Sequence, residues 1–180
     1  MNKLVTSLEG VFVLEPKVFG DARGFFLESY NEREMAGLGM HARFVQDNHS
    51  YSTRNVVRGL HYQIRHAQGK LVRAVMGEIL DVVVDLRKSS RTFGQWSAVP
   101  LSADNKCMLW IPPGFAHGFR VVSDGAHVLY KATHYYEPAS ERTLAWNDPE
   151  LKINWQLSGD PIVSGKDQRG VPFRDAEKFD

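Results

Sequence analysis

The stretch Arg58–Arg73, RGLHYQIRHAQGKLVR, sets four cations and two histidines into sixteen residues of a chain whose formal net charge is only +1. Three chemistries can be built from those residue types. Two or three imidazoles converging with a carboxylate bind Zn or Fe. The guanidinium forks and ammonium of Arg58, Lys70 and Arg73, with Arg23 upstream, suit phosphate oxygens. An imidazole kept neutral can take a proton as a general base. A plain reading stands against each. Arginine and lysine mostly occupy solvated strand faces, and a lone strand histidine is commonly structural, bonded through either ring nitrogen.

The metal reading is the weakest of the three. A metal centre in a barrel usually draws on a His-x-His pair, but His61 is followed two positions on by Gln63, and His66 falls five residues away in a turn. Only His117 has a suitable setting, in Pro112-Pro-Gly-Phe-Ala-His117, which is similar to the Pro-x-Gly-x-x-His signature of the cupin barrels. That half-signature supports a fold more than a metal. For proton transfer, the cations around His61 disfavour a further positive charge and so favour neutral imidazole, unless a carboxylate balances them. A carboxylate on the second ring nitrogen would fix the tautomer. In Val128-Leu-Tyr-Lys-Ala-Thr-His-Tyr-Tyr136, alternation puts Val128, Tyr130, Ala132, His134 and Tyr136 on one face. Tyr130 and Tyr136 can then line a cavity as acids, or simply fill a core.

The elements that must position these residues are mostly strands. In Leu80–Arg87, residues Leu80, Val82, Val84 and Leu86 share one face, and Asp81, Asp85 and Arg87 the other, which predicts a half-buried antiparallel strand. Further strands are expected at Gly10–Pro16, Phe25–Ser29, Gly69–Met76, Trp96–Leu101, Met108–Ile111, Gly118–Val122 and Val128–Tyr135, separated by Gly, Pro, Asn, Asp and Ser turns. A short helix is expected over Asn31–Leu38, capped by Asn31, and another over Pro149–Ile153. The segment from about Asn147 is irregular and reads as a tail wrapped on the body. The whole chain, 1–180, is read as a single all-β jelly-roll barrel with a few short helices and an open mouth for a ligand.

Composition narrows the function classes. Lys+Arg (22) and Asp+Glu (21) nearly cancel, so no global field points to nucleic acid or a membrane surface. A single cysteine, Cys107, lies in an apolar run and is expected to be a small buried thiol rather than a nucleophile. One cysteine also suits a reducing compartment. No run approaches a membrane span and no signal peptide is visible, so a cytoplasmic location is expected.

Seven motifs, in order along the chain, carry a resemblance. They are Phe19-Gly-Asp-Ala-Arg-Gly-Phe-Phe-Leu-Glu28, Gln46-Asp-Asn-His-Ser50, Val57-Arg-Gly-Leu-His-Tyr-Gln63, Gln68-Gly-Lys-Leu-Val-Arg73, Leu109–Phe119, Tyr130-Lys131 and Trp146-Asn-Asp-Pro149. Together they resemble the dTDP-4-dehydrorhamnose 3,5-epimerase family. The resemblance implies a cupin-type jelly roll, no metal or organic cofactor, and a homodimer with exchanged N-terminal strands. It implies a dTDP-4-keto-6-deoxy sugar as substrate, epimerised at carbons 3 and 5 on the route to dTDP-L-rhamnose. A related enzyme acting at one carbon only, or a metal-dependent cupin, are the alternatives.

By the same resemblance, His61 is the base, Asp167 the carboxylate that orients it, Tyr130 the acid on the opposite face, and Lys70 the stabiliser of the enolate. Arg23, Arg58 and Lys166 match substrate contacts, with Arg23 and Arg58 at the diphosphate. Glu28, Gln46, Asn48, His117 and Glu141 match further contacts, and Phe19 and Tyr136 match aromatic positions against thymine. His66 is left as a turn residue, and Arg73 as either an anchor or a structural ion pair. Two positions sit awkwardly. Strict alternation puts Arg58 and His61 on opposite faces unless the strand bends at Gly59, and Asn55 stands where the family pattern leads one to expect glycine.

Overall fold

The computed structural model describes residues 1–180. Its strands are β1 (Asn2–Val5), β2 (Phe12–Glu15), β3 (Val18–Asp21), β4 (Gly24–Leu27), β5 (Gln46–Thr53), β6 (Val56–Gln63), β7 (Lys70–Met76), β8 (Glu78–Asp85), β9 (Trp96–Ser102), β10 (Met108–Ile111), β11 (Phe115–Val121), β12 (Gly125–Ala132), β13 (Glu141–Thr143) and β14 (Ile162–Val163), with one α-helix, α1 (Glu32–Gly37). One sheet runs β1-β2-β10-β7-β12-β5 and the other β13-β6-β11-β8-β9, with β14 joining β6 in parallel. The β3–β4 hairpin forms a small sheet of its own. This is the cupin-type, all-β jelly roll that the motifs imply. No helix is long and apolar enough to cross a membrane.

The two large sheets close on a shared interior. Val72, Ala74, Leu109 and Val128 of the first meet Ile79, Val83, Phe115, Phe119 and Val121 of the second. A second apolar layer lies outside the second sheet, where Leu80, Val82, Val84 and Leu86 pack beneath Leu151, Trp155 and Phe173 of the C-terminal segment. Burying each such side chain contributes on the order of 1.5–3 kcal/mol, so apolar packing holds the irregular tail against the sheet. A third layer, Phe12, Leu14, Met35, Leu71, Met108 and Trp110, seats α1 against the first sheet.

This arrangement corrects the reading of β8. Its alternation is as expected, but the strand is buried on both faces: the apolar stripe lies under the tail and the acidic stripe points into the barrel, with Asp81 and Asp85 wholly buried. The expected helix at Pro149–Ile153 is only a turn, its Glu150 and Leu151 amides capped by Asp148 and its continuation stopped by Lys152 at φ +50°. Strand β12 ends at Ala132, not Tyr135. The helix at Asn31 is as expected, the Asn31 side chain accepting from the amides of Arg33 and Glu34. Asn55 adopts φ +62°, the left-handed turn that asparagine tolerates in place of glycine.

Candidate active site

The interior is apolar at one end and polar at the other. Alternation carries inward-facing positions past the core to a cavity lined by Ser50, Arg58, His61, Gln63, Gln68, Lys70, His117, Phe119, Tyr130, Tyr136 and Glu141. His61, His117 and Glu141 come from the second sheet, while Lys70, Tyr130 and Ser50 come from the first. A ligand in the cavity therefore lies between two walls of different chemistry.

Arg58 and His61 share the cavity because β6 is irregular. His61 pairs with His117 and Arg58 with Phe119, so β6 spends three residues where β11 spends two. The extra residue is a bulge at Gly59, whose φ of +111° suits glycine. It returns Arg58 to the same face as His61. Arg58 is then steered by β5, its Nε donating to Ser52 Oγ at 2.8 Å and its Nη2 to the Tyr51 carbonyl at 3.2 Å.

His61 is backed by a carboxylate that sits 106 residues away in sequence. Asp167 Oδ1 lies 2.6 Å from His61 Nε2, and its Oδ2 accepts from the Gly59 amide at 3.2 Å. Burial would push the Asp167 carboxyl up, but the bonds from His61, Gly59 and Ser164 outweigh it and hold the group below the ordinary carboxylate range. An ionised carboxylate only accepts, so the Nε2 proton belongs to His61, and in the neutral ring the Nδ1 lone pair is free to accept a proton.

Lys70 is buried, its Nζ 3.5 Å from the His61 carbonyl oxygen and 5.9 Å from the centre of the Tyr130 ring. Burial lowers its pKa to about 8, against the opposing pull of Asp81 and Glu141. The Tyr130 hydroxyl is pushed up, first by burial and then by Glu141. Glu141 holds the Tyr136 hydroxyl at 2.8 Å and the Lys166 ammonium at 2.5 Å. Gln46 donates to Asn48 at 2.9 Å and accepts from the Tyr136 amide at 2.9 Å, tying the edge of the first sheet to the cavity rim.

Of the residues singled out from sequence, the cavity gathers His61, Lys70, Tyr130, Arg58, His117, Tyr136 and Glu141, with Asp167, Lys166, Gln46 and Asn48 bonded or adjacent to them. Phe19 and Arg23 instead sit on the exposed β3–β4 hairpin, where Arg23 pairs only with Asp21, and Glu28 lies against Asn31. Arg73 faces the outside of the first sheet, since β7 alternates Lys70 and Val72 inward; it forms no ion pair and lines a separate groove beside Leu129 and Met108. His66 is a turn residue at φ +48°. Sequence reading missed Asp81, whose two oxygens meet His117 Nε2 at 2.9 and 3.0 Å. No group of three or more His, Cys, Asp or Glu converges as a metal cage requires.

The chain is similar to known proteins over nearly its whole length. The family model described as dTDP-4-dehydrorhamnose 3,5-epimerase matches residues 5–175. A dTDP-4-dehydrorhamnose 3,5-epimerase of Pseudomonas aeruginosa is 58% identical, with 96% of each chain covered. A crystal structure of dTDP-6-deoxy-D-glucose-3,5-epimerase from Legionella pneumophila, in complex with dTDP-4-keto-L-rhamnose, superimposes with a TM-score of 0.94 at 47% identity, covering 98% of this chain and 94% of that one. A relative from Streptomyces niveus, a dTDP-4-dehydrorhamnose 3-epimerase, is more distant at 37% identity over 94% of this chain and 82% of its own. Fold, cavity and motif order agree with this similarity, and the chain belongs to the isomerases of the dTDP-4-dehydrorhamnose 3,5-epimerase family.

Proposed function

We propose that the protein converts dTDP-4-dehydro-6-deoxy-D-glucose to dTDP-4-dehydro-L-rhamnose by inverting carbons 3 and 5, as a step toward dTDP-L-rhamnose. The observation that carries this reading is the placing of His61 and Tyr130 on opposite sheets with Lys70 beside them. His61 Nδ1 removes the proton next to the 4-keto group, and the C–H electron pair moves into the carbonyl to give an enolate. Asp167 stabilises the imidazolium that forms. Lys70 faces the developing oxyanion; a preorganised donor of this kind is typically worth about 10²–10³ in rate. Tyr130 then returns a proton from the other face, and the phenolate and imidazolium re-equilibrate with solvent before the second carbon reacts.

The remaining assignments follow the same reading. Arg58 holds the diphosphate, Tyr136 packs on the base, and Gln46, Asn48, His117, Glu141 and Lys166 surround nucleotide and sugar. Phe19, Arg23 and Glu28 reach a site only if the hairpin is lent to a second copy of the chain, which favours a homodimer with exchanged N-terminal strands. We place the enzyme in the cytoplasm, where sugar nucleotides are made. Incubation with the 4-keto sugar nucleotide in deuterium oxide is the test. Deuterium at both carbons with L-configured product is expected, and it vanishes in His61→Ala. Exchange at one carbon alone would identify a mono-epimerase, and normal exchange in His61→Ala would remove His61 as base.

A further inference from the structure

A second histidine–carboxylate pair lies deeper than the first. Asp81 of β8 has 0% exposure, and both its oxygens lie within 3.0 Å of His117 Nε2 on β11. Lys70, from the opposing sheet, lines the same cavity as His117 and is itself buried. A buried ammonium persists as a cation only where negative charge stands against it. The charged and titratable groups around Lys70 are Arg58, His61 and Tyr62 of β6, Asp81 of β8, His117 of β11, Tyr130 of β12, Tyr136 just beyond it and Glu141 of β13.

Two of these are carboxylates, and they are not equivalent. Glu141 is already matched by the Lys166 ammonium and the Tyr136 hydroxyl. Asp81 has only His117, an imidazole that burial disfavours charging. A neutral imidazole donates one hydrogen bond and cancels no charge. The carboxylate of Asp81 is therefore not neutralised by its nearest partner, and it stands directly behind His117, which lines the cavity together with Lys70.

We propose that Asp81, fixed in place by His117, is a positioning residue that acts as the internal counter-ion of Lys70 and keeps its ammonium protonated for the enolate step. This rests on the epimerase reading above. Burial draws the Lys70 pKa to about 8, so the cation is present at neutral pH and lost just above it. Without Asp81, that loss moves into the neutral range.

The experiment compares pH profiles of kcat for the wild type and Asp81→Asn. The wild type is expected to fall as pH rises through about 8. In Asp81→Asn the fall comes at least about one pH unit earlier, which at alkaline pH is a roughly tenfold slower rate, while the rate near pH 6 is much less affected. Glu141→Gln, whose charge Lys166 partly matches, is expected to move the midpoint in the same direction but by less than Asp81→Asn. A ¹³C titration of lysine Cε, with Lys70 assigned by the spectrum of Lys70→Arg, reads the same midpoint without turnover. If the Asn variant does not fold, Asp81→Thr offers His117 a hydroxyl acceptor and is read the same way. An unmoved midpoint, or an equal loss at every pH, overturns the proposal. A wild type with neither turnover nor exchange overturns the epimerase reading instead, and the Cε titration still decides the counter-ion.

Discussion

In the proposed mechanism, Tyr130 is the residue whose role separates inversion from mere proton exchange. In Tyr130→Phe, His61 still faces the sugar from its own sheet, so deuterium wash-in is expected to continue while L-configured product falls by at least about tenfold. Product analysis by NMR checks this, and an unchanged product ratio would assign the acid elsewhere. Lys70→Met is expected to lose about 10²–10³ in kcat with little change in KM, since the ammonium acts on the enolate rather than on the bound ketone. His61 and Lys70 were legible because their types are chemical and they lie in one short stretch, Tyr130 because alternation put it on one face with Tyr136, and the roles of all three came from the resemblance. Asp81 was not legible. Alternation tells which residues share a face of β8, but the more apolar face is outermost here only because the tail covers it, and periodicity carries no information about a distant segment. Asp167 was visible through family resemblance alone, since no local pattern links it to His61.

At the scale of elements, the crossing of β6 and β11 decides the geometry of the site. Gly59 and Gly118 lie back to back. A Cβ on Gly118 would stand 2.4 Å from the Arg58 carbonyl oxygen, and one on Gly59 would stand 2.7 Å from both Gly118 Cα and the His117 carbonyl oxygen. Both contacts are with backbone, so the strands must separate to admit a methyl group. Gly118→Ala is expected to lower the melting temperature by several degrees, as a loss of about 1–3 kcal/mol does in a chain of this size. It is also expected to reduce kcat/KM by more than about tenfold by moving Arg58 and His61 apart. Calorimetry and steady-state kinetics test both; wild-type values in each would mean that the close approach does not set the site. The bend at Gly59 was legible as a conflict in the sequence, because Arg58 and His61 could not otherwise serve one cavity. Strand β5 was harder to see. Its sequence QDNHSYST puts Asn48, Ser50 and Ser52 toward the polar end of the barrel, so it lacks the apolar alternation that marks a strand.

For the whole molecule, the conspicuous unsatisfied feature is the β3–β4 hairpin, where Phe19, Phe25 and Phe26 are 51%, 62% and 65% exposed. A two-stranded hairpin with bare aromatics is marginal alone in water. The proposed exchanged-strand dimer would give it a place. The wild type is expected to run at twice the 20.4 kDa chain mass in light scattering. The double variant Phe25→Ser, Phe26→Ser is expected to shift toward monomer and lose activity together with association. A monomeric wild type with full turnover would show that the hairpin does not complete a neighbour's site.

The tail that seals the second sheet also sets a schedule. His61 leaves the ribosome 106 residues before Asp167, an interval of roughly 5–20 s at ~5–20 residues per second. Before Asp167 emerges, the proposed base lacks the carboxylate that orients it, and before Leu151 and Trp155 emerge, Leu80, Val82, Val84 and Leu86 have no cover. A chain cut short before Leu151 is therefore expected to be inert toward the proposed substrate and sticky on one face. On the proposed reading, the oriented base and the cover of the second sheet both arrive with the C-terminal segment.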